Sequence, residues 1–259
     1  MITRYRAWMD GAALDEIADS IYITDIVEPE TQVEVISLPL AGRSGSRLQS
    51  NHRRTKTVLI RLMIREYDVK VRKDVLNQVL TWAQGEALEI NDREDMVLYV
   101  RLDNVPQISA LKWTETITLS FTAWDVPYWQ NKSQLSMFKA GAEGNFLFGA
   151  GGNMPTVLDF EVRNAGDQVI SVLLVSANDE YAVGFVDLDL QPNETLLYSH
   201  DARGIVSAKI GTRSVIGKML PDSHDDLYTA GNGGGHTNKV TFSASASVQF
   251  FLRMRWRWL

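Results

Sequence analysis

The sequence predicts a mainly β fold with one packed α-helix, divided into two domains. Strand-like alternation of apolar and polar residues recurs along the chain, and only one segment has a helical period. The length of 259 residues lies where a single core begins to divide into two. We therefore expect an N-terminal β domain over residues 1–135, a linker over 136–154 and a C-terminal β-sandwich over 155–259.

The clearest strand of the N-terminal domain covers residues 57–65. Its apolar side chains recur at every second position and share one face: Val58, Ile60, Leu62 and Ile64. Arg61 and Arg65 lie on the opposite face, which we expect to be wet. One strand cannot bury its apolar face alone, so we expect neighbouring strands at about 21–26, 33–38, 98–102 and 112–124.

A helix is predicted to follow at about residues 69–84. Its apolar residues have helical spacing and form one stripe: Val71, Val75, Val79 and Trp82. Arg72 belongs to the set that faces away from this stripe. Asp68 is placed to cap the first turn, and Gly85 is placed to end the helix in a left-handed conformation.

Residues 41–56 have no periodicity and carry an excess of positive charge, so we expect a long exposed loop or arm. With the wet face of the following strand, this arm supplies the candidate partner interface: Arg43, Arg47, Arg53, Arg54, Lys56, Arg61 and Arg65. A solvated loop without a partner, and contacts to phosphate groups, are the alternative interpretations.

Beyond Pro155 the sequence alternates as short strands do, near 157–163, 168–176, 181–190, 194–198 and 205–210. A glycine-rich flexible loop is expected at 230–238. The longest alternation follows it, over residues 240–258, and should close the sandwich. We expect its aromatic residues on the core face, and Arg253, Arg255 and Arg257 on the wet face.

Composition narrows the chemistry that the protein can perform. A formal charge of −6 argues against a dedicated nucleic-acid binder, and the absence of cysteine excludes disulfides and thiolate sites. The four histidines are scattered, so we expect no catalytic, cofactor-binding or metal-binding residues. We find no signal sequence or apolar span and expect a soluble protein without membrane contact.

Several aromatic residues are candidates for a sugar-binding surface, because flat rings stack on pyranose rings. The candidates are Trp8, Trp113, Trp124, Trp129, Trp256 and Trp258. Core packing is the default interpretation for those that lie on apolar strand faces.

Five segments, taken in order, carry a family resemblance. They are Trp8–Gly11, Ile21–Ile26, Leu38–Gly45, Thr57–Trp82 and Phe121–Tyr128. As a set they resemble the distal tail proteins of long-tailed, siphovirus-type bacteriophages, over roughly half of the chain. The C-terminal half resembles the family mainly in its architecture and in its ending of arginine and aromatic residues.

The resemblance implies a structural virion protein and no enzyme. In that family the N-terminal domain assembles head to tail into a hexameric ring, and the C-terminal domain is a galectin-like or carbohydrate-binding-like β-sandwich. The implied role is a distal tail hub that joins the tail tube to the tail tip or baseplate.

The implied partners are further copies of the chain, the tail tube protein, the tail-associated hub protein and a receptor-binding protein, with DNA only passing through the channel. The implied location is the virion tail tip, after synthesis in the bacterial cytoplasm. The alternative is a carbohydrate-binding protein that contacts host cell-wall sugars through the sandwich; a wall-degrading hydrolase is the least favoured hypothesis.

Overall fold

The computed structural model describes the chain except residues 1–4, 30–31, 40–45, 107–113, 225–226 and 232–236. Over residues 32–39, 46–54 and 114–115 only the backbone is described. The chain divides into two compact units, Met1–Trp129 and Gln130–Leu259. The expected fold class, mainly β with one packed α-helix, is confirmed for the described residues.

Unit 1 contains short and long antiparallel strands and the helix. The elements are β1 (Ala7–Met9), β2 (Ala12–Ala13), β3 (Ile21–Val27), β4 (Gln32–Pro39), β5 (Ser46–Arg65), α1 (Val69–Trp82), β6 (Ala87–Ile90), β7 (Met96–Tyr99), β8 (Arg101–Leu102) and β9 (Thr114–Ala123). β10 (Trp129–Asn131) begins where the unit ends. One sheet has the order β2-β1-β6-β7, and a second has the order β3-β5-β9-β8.

Alternate residues of β5 form the centre of the unit 1 core, as the sequence predicts. Val58, Ile60 and Leu62 are fully buried, and α1 packs on the same side. Trp82 of α1 lies edge-on to Phe121 of β9, with ring centroids 6.1 Å apart. The indole N–H of Trp82 also donates to the carbonyl oxygen of Ala12 at 2.7 Å, which ties the helix to β2.

The start of α1 is as predicted, but its buried face is rotated. The Asp68 carboxylate accepts from the backbone N–H groups of Lys70 and Val71, as an N-cap does. Val71, expected in the core, is 44% exposed, whereas Arg72, expected in solvent, is buried. Arg72 is accommodated in the buried position because its guanidinium donates to the Glu66 carbonyl at 2.8 Å.

Gly85 follows the helix for a different reason from the one predicted. It is not among the residues with positive φ, so it does not end α1 in a left-handed conformation. A Cβ at this position would lie 2.3 Å from Asp10 Oδ2 and 2.4 Å from Met9 Cγ. Gly85 is therefore required by the close approach of β1, and the Asp10 carboxylate accepts from the N–H groups of the next two residues.

β5 is longer than predicted and replaces most of the expected loop at 41–56. Residues 41–45 lie outside the described chain, but residues 46–55 pair with β4. Residues 56–65 pair with β9, and residues 59–64 also pair with β3. The loop prediction was wrong for residues 46–56 because backbone hydrogen bonds can form a two-stranded ribbon without periodic side chains.

The described residues of unit 2 include strands and one short 3₁₀ turn, Ile216–Lys218. The strands are β11 (Leu135–Gly149), β12 (Thr156–Arg163), β13 (Leu173–Ala177), β14 (Tyr181–Phe185), β15 (Thr195–His200), β16 (Val206–Ile210), β17 (Arg213–Ser214), β18 (Tyr228–Thr229), β19 (Thr237–Met254) and β20 (Arg257–Trp258). The main order is β14-β13-β19-β12-β15-β16-β17, with β11 on β19 and β18 on β12.

Stacked aromatic rings fill the centre of unit 2. Phe160 stacks on Tyr198 at 4.6 Å and on Phe250 at 5.4 Å, and Phe250 stacks on Phe242 at 4.5 Å. All four rings lie on the core face of their strands. The alternation predicted for residues 240–254 is thus confirmed.

β11 occupies most of the predicted linker at 136–154. It pairs antiparallel with β19 from end to end, with a bulge between Gly141 and Glu143. Met137 before the bulge and Phe146 after it both pack on the core, although nine positions would place them on opposite faces of a regular strand. The bulge therefore breaks the period of two, and this break caused the linker prediction to fail.

The end of the chain also departs from the predicted alternation. β19 ends at Met254, and Arg257 is buried rather than on the wet face. Its backbone N–H donates to Thr156 Oγ1 and its carbonyl accepts from the Met154 N–H, both at 3.2 Å. The last residues thus form a separate short strand, for which the face alternation of β19 no longer applies.

Candidate interaction surfaces

The seven predicted interface residues fall into three groups. Arg43 lies outside the described residues. Arg47, Arg53 and Arg54 belong to the part of β5 that pairs with β4, where only the backbone is described. The remaining three are Lys56, Arg61 and Arg65. Their side chains are described, and they lie in the part of β5 that pairs with β9.

Lys56 is a correction to the exposed arm that the sequence predicts, because it is buried. Its Nζ lies 2.7 Å from Glu28 Oε2. Glu28 also pairs with Arg93, whose Nε lies 3.2 Å from Oε1, and accepts from the indole N–H of Trp129 at 3.0 Å. We call these four residues the Glu28 cluster.

We call the paired strands β4 and residues 46–55 of β5 the ribbon. The Glu28 cluster lies where the ribbon leaves the sheet that β5 forms with β3 and β9. Glu28 directly follows β3, and Lys56 lies between the ribbon and the sheet portion of β5. Arg93 lies between β6 and β7, so the cluster also links the two sheets of unit 1. The sequence offered no signal for it, because its members are scattered and a single Glu after a strand has no pattern.

The charges around Glu28 lower the pKa of its carboxyl group. Burial opposes ionisation and alone would raise the pKa. Hydrogen bonds from Lys56 and Trp129, with the positive charges of Lys56 and Arg93, outweigh burial, so the pKa lies below its usual value. The carboxylate is therefore the stable form in the folded protein.

Arg61 and Arg65 lie on the outer face of the β5 sheet, as predicted. Arg61 Nη1 is 3.3 Å from Asp25 Oδ2, and both side chains are substantially exposed. The guanidinium of Arg65 lies over the ring of Tyr22, 4.8 Å from its centroid. Exposed pairs of this kind contribute about 1 kcal/mol or less, so a partner can rearrange them at little cost.

The histidines with described contacts have structural partners. Ser223 Oγ accepts from the Gly184 N–H at 3.0 Å, and His224 Nδ1 accepts from the Ala182 N–H at 3.2 Å. His200 Nδ1 lies 2.8 Å from Asp159 Oδ1. Within the described residues, no group of three or more His, Asp or Glu is placed to hold a metal ion.

The candidate tryptophans that the structure describes differ in burial. Trp129 is fully buried in the Glu28 cluster, whereas Trp124 is 59% exposed. Trp256 and Trp258 are partly buried, and Trp113 lies outside the described residues. Over the described part of the chain, no helix is both long and apolar enough to cross a membrane.

Three solved structures that are similar to this chain come from bacteriophages. The crystal structure of the SPP1 Dit (gp 19.1) protein, described as a paradigm of the hub adsorption apparatus in Gram-positive infecting phages, matches with a TM-score of 0.70. The match covers 98% of this chain and 99% of that chain at 10% sequence identity.

Two structures of the phage P2 baseplate in its activated conformation are also similar. The structure with Ca matches with a TM-score of 0.49 at 9% identity and covers 98% of each chain. The structure with Sr matches with a TM-score of 0.48 at 9% identity and covers 97% of each chain. No protein-family profile and no curated protein sequence matches the chain.

At 10% identity the similarity to SPP1 Dit establishes a shared fold. It covers both units, including the C-terminal half where the sequence resemblance is weakest. The fold expected from the resemblance to distal tail proteins is thereby confirmed.

Proposed function

We propose that this protein is a structural component of a bacteriophage tail tip, namely a distal tail protein that forms a hub ring. The observation that carries the proposal is the similarity to SPP1 Dit over 98% of this chain and 99% of that chain. A fold shared over the full length of both chains argues for a common architecture rather than one borrowed domain. The ordered sequence motifs of the N-terminal half support the same assignment.

The ribbon of β4 and β5 is the element that we assign to contacts between ring subunits. A two-stranded ribbon is marginally stable in water by itself, so a covering partner stabilises it. The ribbon strands, residues 32–39 and 46–55, carry three arginines and one glutamate, within a chain of net charge −6. The other 241 residues therefore sum to −8 (−6 minus +2), so another copy offers the complementary charge.

The same assignment gives the remaining roles. The ring joins the tail tube to the tail tip, docks the tail-associated hub protein and a receptor-binding protein, and lets DNA pass through its channel. The protein has a mechanical role and no catalytic one. It is made in the bacterial cytoplasm and resides in the virion.

The experiment compares the assembly of the purified wild-type protein with that of an Arg53→Ala/Arg54→Ala variant. Negative-stain microscopy and light scattering of the wild type are expected to reveal closed rings. The variant is expected to assemble at least about tenfold more weakly, because two charged contacts per subunit interface are lost. Circular dichroism is expected to be unchanged, since these residues lie in the ribbon beyond the sheet.

An Arg203→Ala/Lys209→Ala variant is the matched control. It removes the same charge from exposed side chains of unit 2 and should assemble like the wild type. A wild-type protein that stays monomeric at high concentration would contradict the ring. If the arginine variant forms rings at the same protein concentration as the wild type, only the role of the ribbon is rejected.

A further inference from the structure

One long edge of the unit 2 sheet has no strand partner among the described residues. β11 has fifteen residues, and one of its edges pairs with β19 along the full length. No described strand pairs with the other edge. Side chains along β11 are mostly exposed, and Phe138 at 52% exposure lies next to Phe251 of β19, with ring centroids 4.9 Å apart.

Another edge strand of the same sheet, β14, is protected. On β14, the N–H groups of Ala182 and Gly184 donate to side chains of His224 and Ser223. The carbonyl oxygens of the same two residues accept from the N–H groups of His224 and Leu220. Soluble proteins cover their edge strands in this way to prevent unwanted pairing, so the uncovered edge of β11 is a distinct feature.

We propose that the free edge of β11 over residues 135–141 binds an extended peptide segment of a partner protein by strand addition. The free N–H and C=O groups of alternate residues would continue the ladder, and an apolar side chain of the peptide would pack on Phe138 and Phe251. The segment is uncharged apart from Lys139, whose Nζ donates to Asn145 Oδ1 at 3.0 Å. The site therefore selects a neutral, apolar strand.

The bulge favours a short peptide over a second copy of β11. It divides the edge into residues 135–141 and 143–149, which are offset by the change of register. Two copies of β11 would bring two bulges into one ladder, whereas a segment of about seven residues uses only the first half. The proposal concerns a surface of unit 2 and does not depend on ring formation.

A synthetic peptide copying Val248–Met254, with glutamine in place of Arg253 so that it is uncharged, is a suitable probe. In the folded chain this sequence already pairs with residues 135–141 of β11 on the other edge, in the register from Gly141↔Val248 to Leu135↔Met254. With a fluorescent label, it should bind the full-length protein saturably, and hydrogen exchange should slow at residues 135–141. A peptide N-methylated at alternate residues cannot donate to the ladder and should not bind.

Two variants locate the site. Phe138→Lys should weaken binding by about tenfold, because it removes the apolar contact. Leu147→Lys changes an exposed residue beyond the bulge and should leave binding unchanged. The Arg53→Ala/Arg54→Ala protein should bind the peptide as tightly as the wild type does. This result would show that binding at β11 does not depend on the arginines of the ribbon.

Three results would overturn the proposal. They are no saturable binding, equal binding of the N-methylated peptide, and protection from exchange at a site other than β11. A lower assembly mass of Phe138→Lys protein without any peptide would also overturn it, since a second copy would then occupy the edge.

Discussion

β5 and β19 are the longest strands of their units, but they use their length differently. β19 is paired with β11 near both ends, over residues 237–243 and 248–254, and its other edge pairs first with β13 and then with β12. β5 has partners on both edges only over residues 59–64, and residues 46–55 pair with β4 alone. In unit 2, both ends of β19 contribute residues to the core. In unit 1, residues 46–55 of β5 extend beyond the sheet.

The largest effect is expected in the core portion of β19. Phe250→Ala should lower the free energy of unfolding of unit 2 by about 3–5 kcal/mol, because a fully buried, stacked ring is lost. Phe251→Ala, one residue along on the outer face, should cost about 1 kcal/mol. Calorimetry of both variants measures the difference, and equal costs would contradict the assigned faces of β19.

A smaller effect is expected where the ribbon joins the sheet. Glu28→Gln should cost about 2–3 kcal/mol in unit 1, because it leaves the buried Lys56 ammonium without its carboxylate. Asp25→Asn disrupts the exposed pair with Arg61 and should cost less than about 1 kcal/mol. Urea unfolding compares the two variants, and similar costs would mean that the Glu28 cluster contributes no more than a surface pair.

The Glu28 cluster also predicts a dependence on pH. The carboxyl pKa is lowered in the folded state, so its stabilisation is present above the unfolded pKa and is lost as the pH falls through the folded pKa. Unit 1 of the wild type should therefore lose stability below about pH 4.5, the ordinary value for Glu. The Glu28→Gln variant should lose less stability than the wild type over that pH interval, as measured by melting temperature at each pH. If the melting temperatures of both proteins fall equally with pH, Glu28 is not the group responsible.

A substitution at Gly85 tests how closely the end of β1 packs against the residue that follows α1. Gly85→Ala should cost about 1–3 kcal/mol, because the new methyl group would overlap Asp10 and Met9. Gly217→Ala has no atom within 4 Å of the new Cβ and should change stability by less than about 0.5 kcal/mol. Thermal melting separates them, and a neutral Gly85→Ala would show that β1 adjusts freely.

The smallest effect on stability is expected in the ribbon. Arg53→Ala/Arg54→Ala should change the free energy of unfolding of an isolated chain by about 0.5 kcal/mol or less, since this part of β5 has one strand partner. Unfolding at concentrations too low for assembly measures this. A large loss would mean that these arginines stabilise their own subunit.

Periodic parts of the chain could be predicted from the sequence, because one buried face imposes a pattern. The apolar faces of residues 57–65 and 240–254 and the Asp68 cap are found as expected. The sequence resemblance also anticipated the fold shared with SPP1 Dit.

Features held by backbone pairing or by isolated side chains could not be predicted. The ribbon has no apolar period, and the bulge at Gly141 interrupts the period of β11. Arg72 and Lys56 are buried despite their charge, because each has a partner from a distant or irregular segment. Such partners become visible only when the fold brings them together.

The most direct test of the hub proposal is the mass of the purified wild-type protein by native mass spectrometry. We predict a closed assembly, at about 175 kDa for six copies of the 29.1 kDa chain. The Arg53→Ala/Arg54→Ala variant should shift this population toward single chains. A wild-type protein found only at 29.1 kDa at every concentration tested would contradict the hub ring.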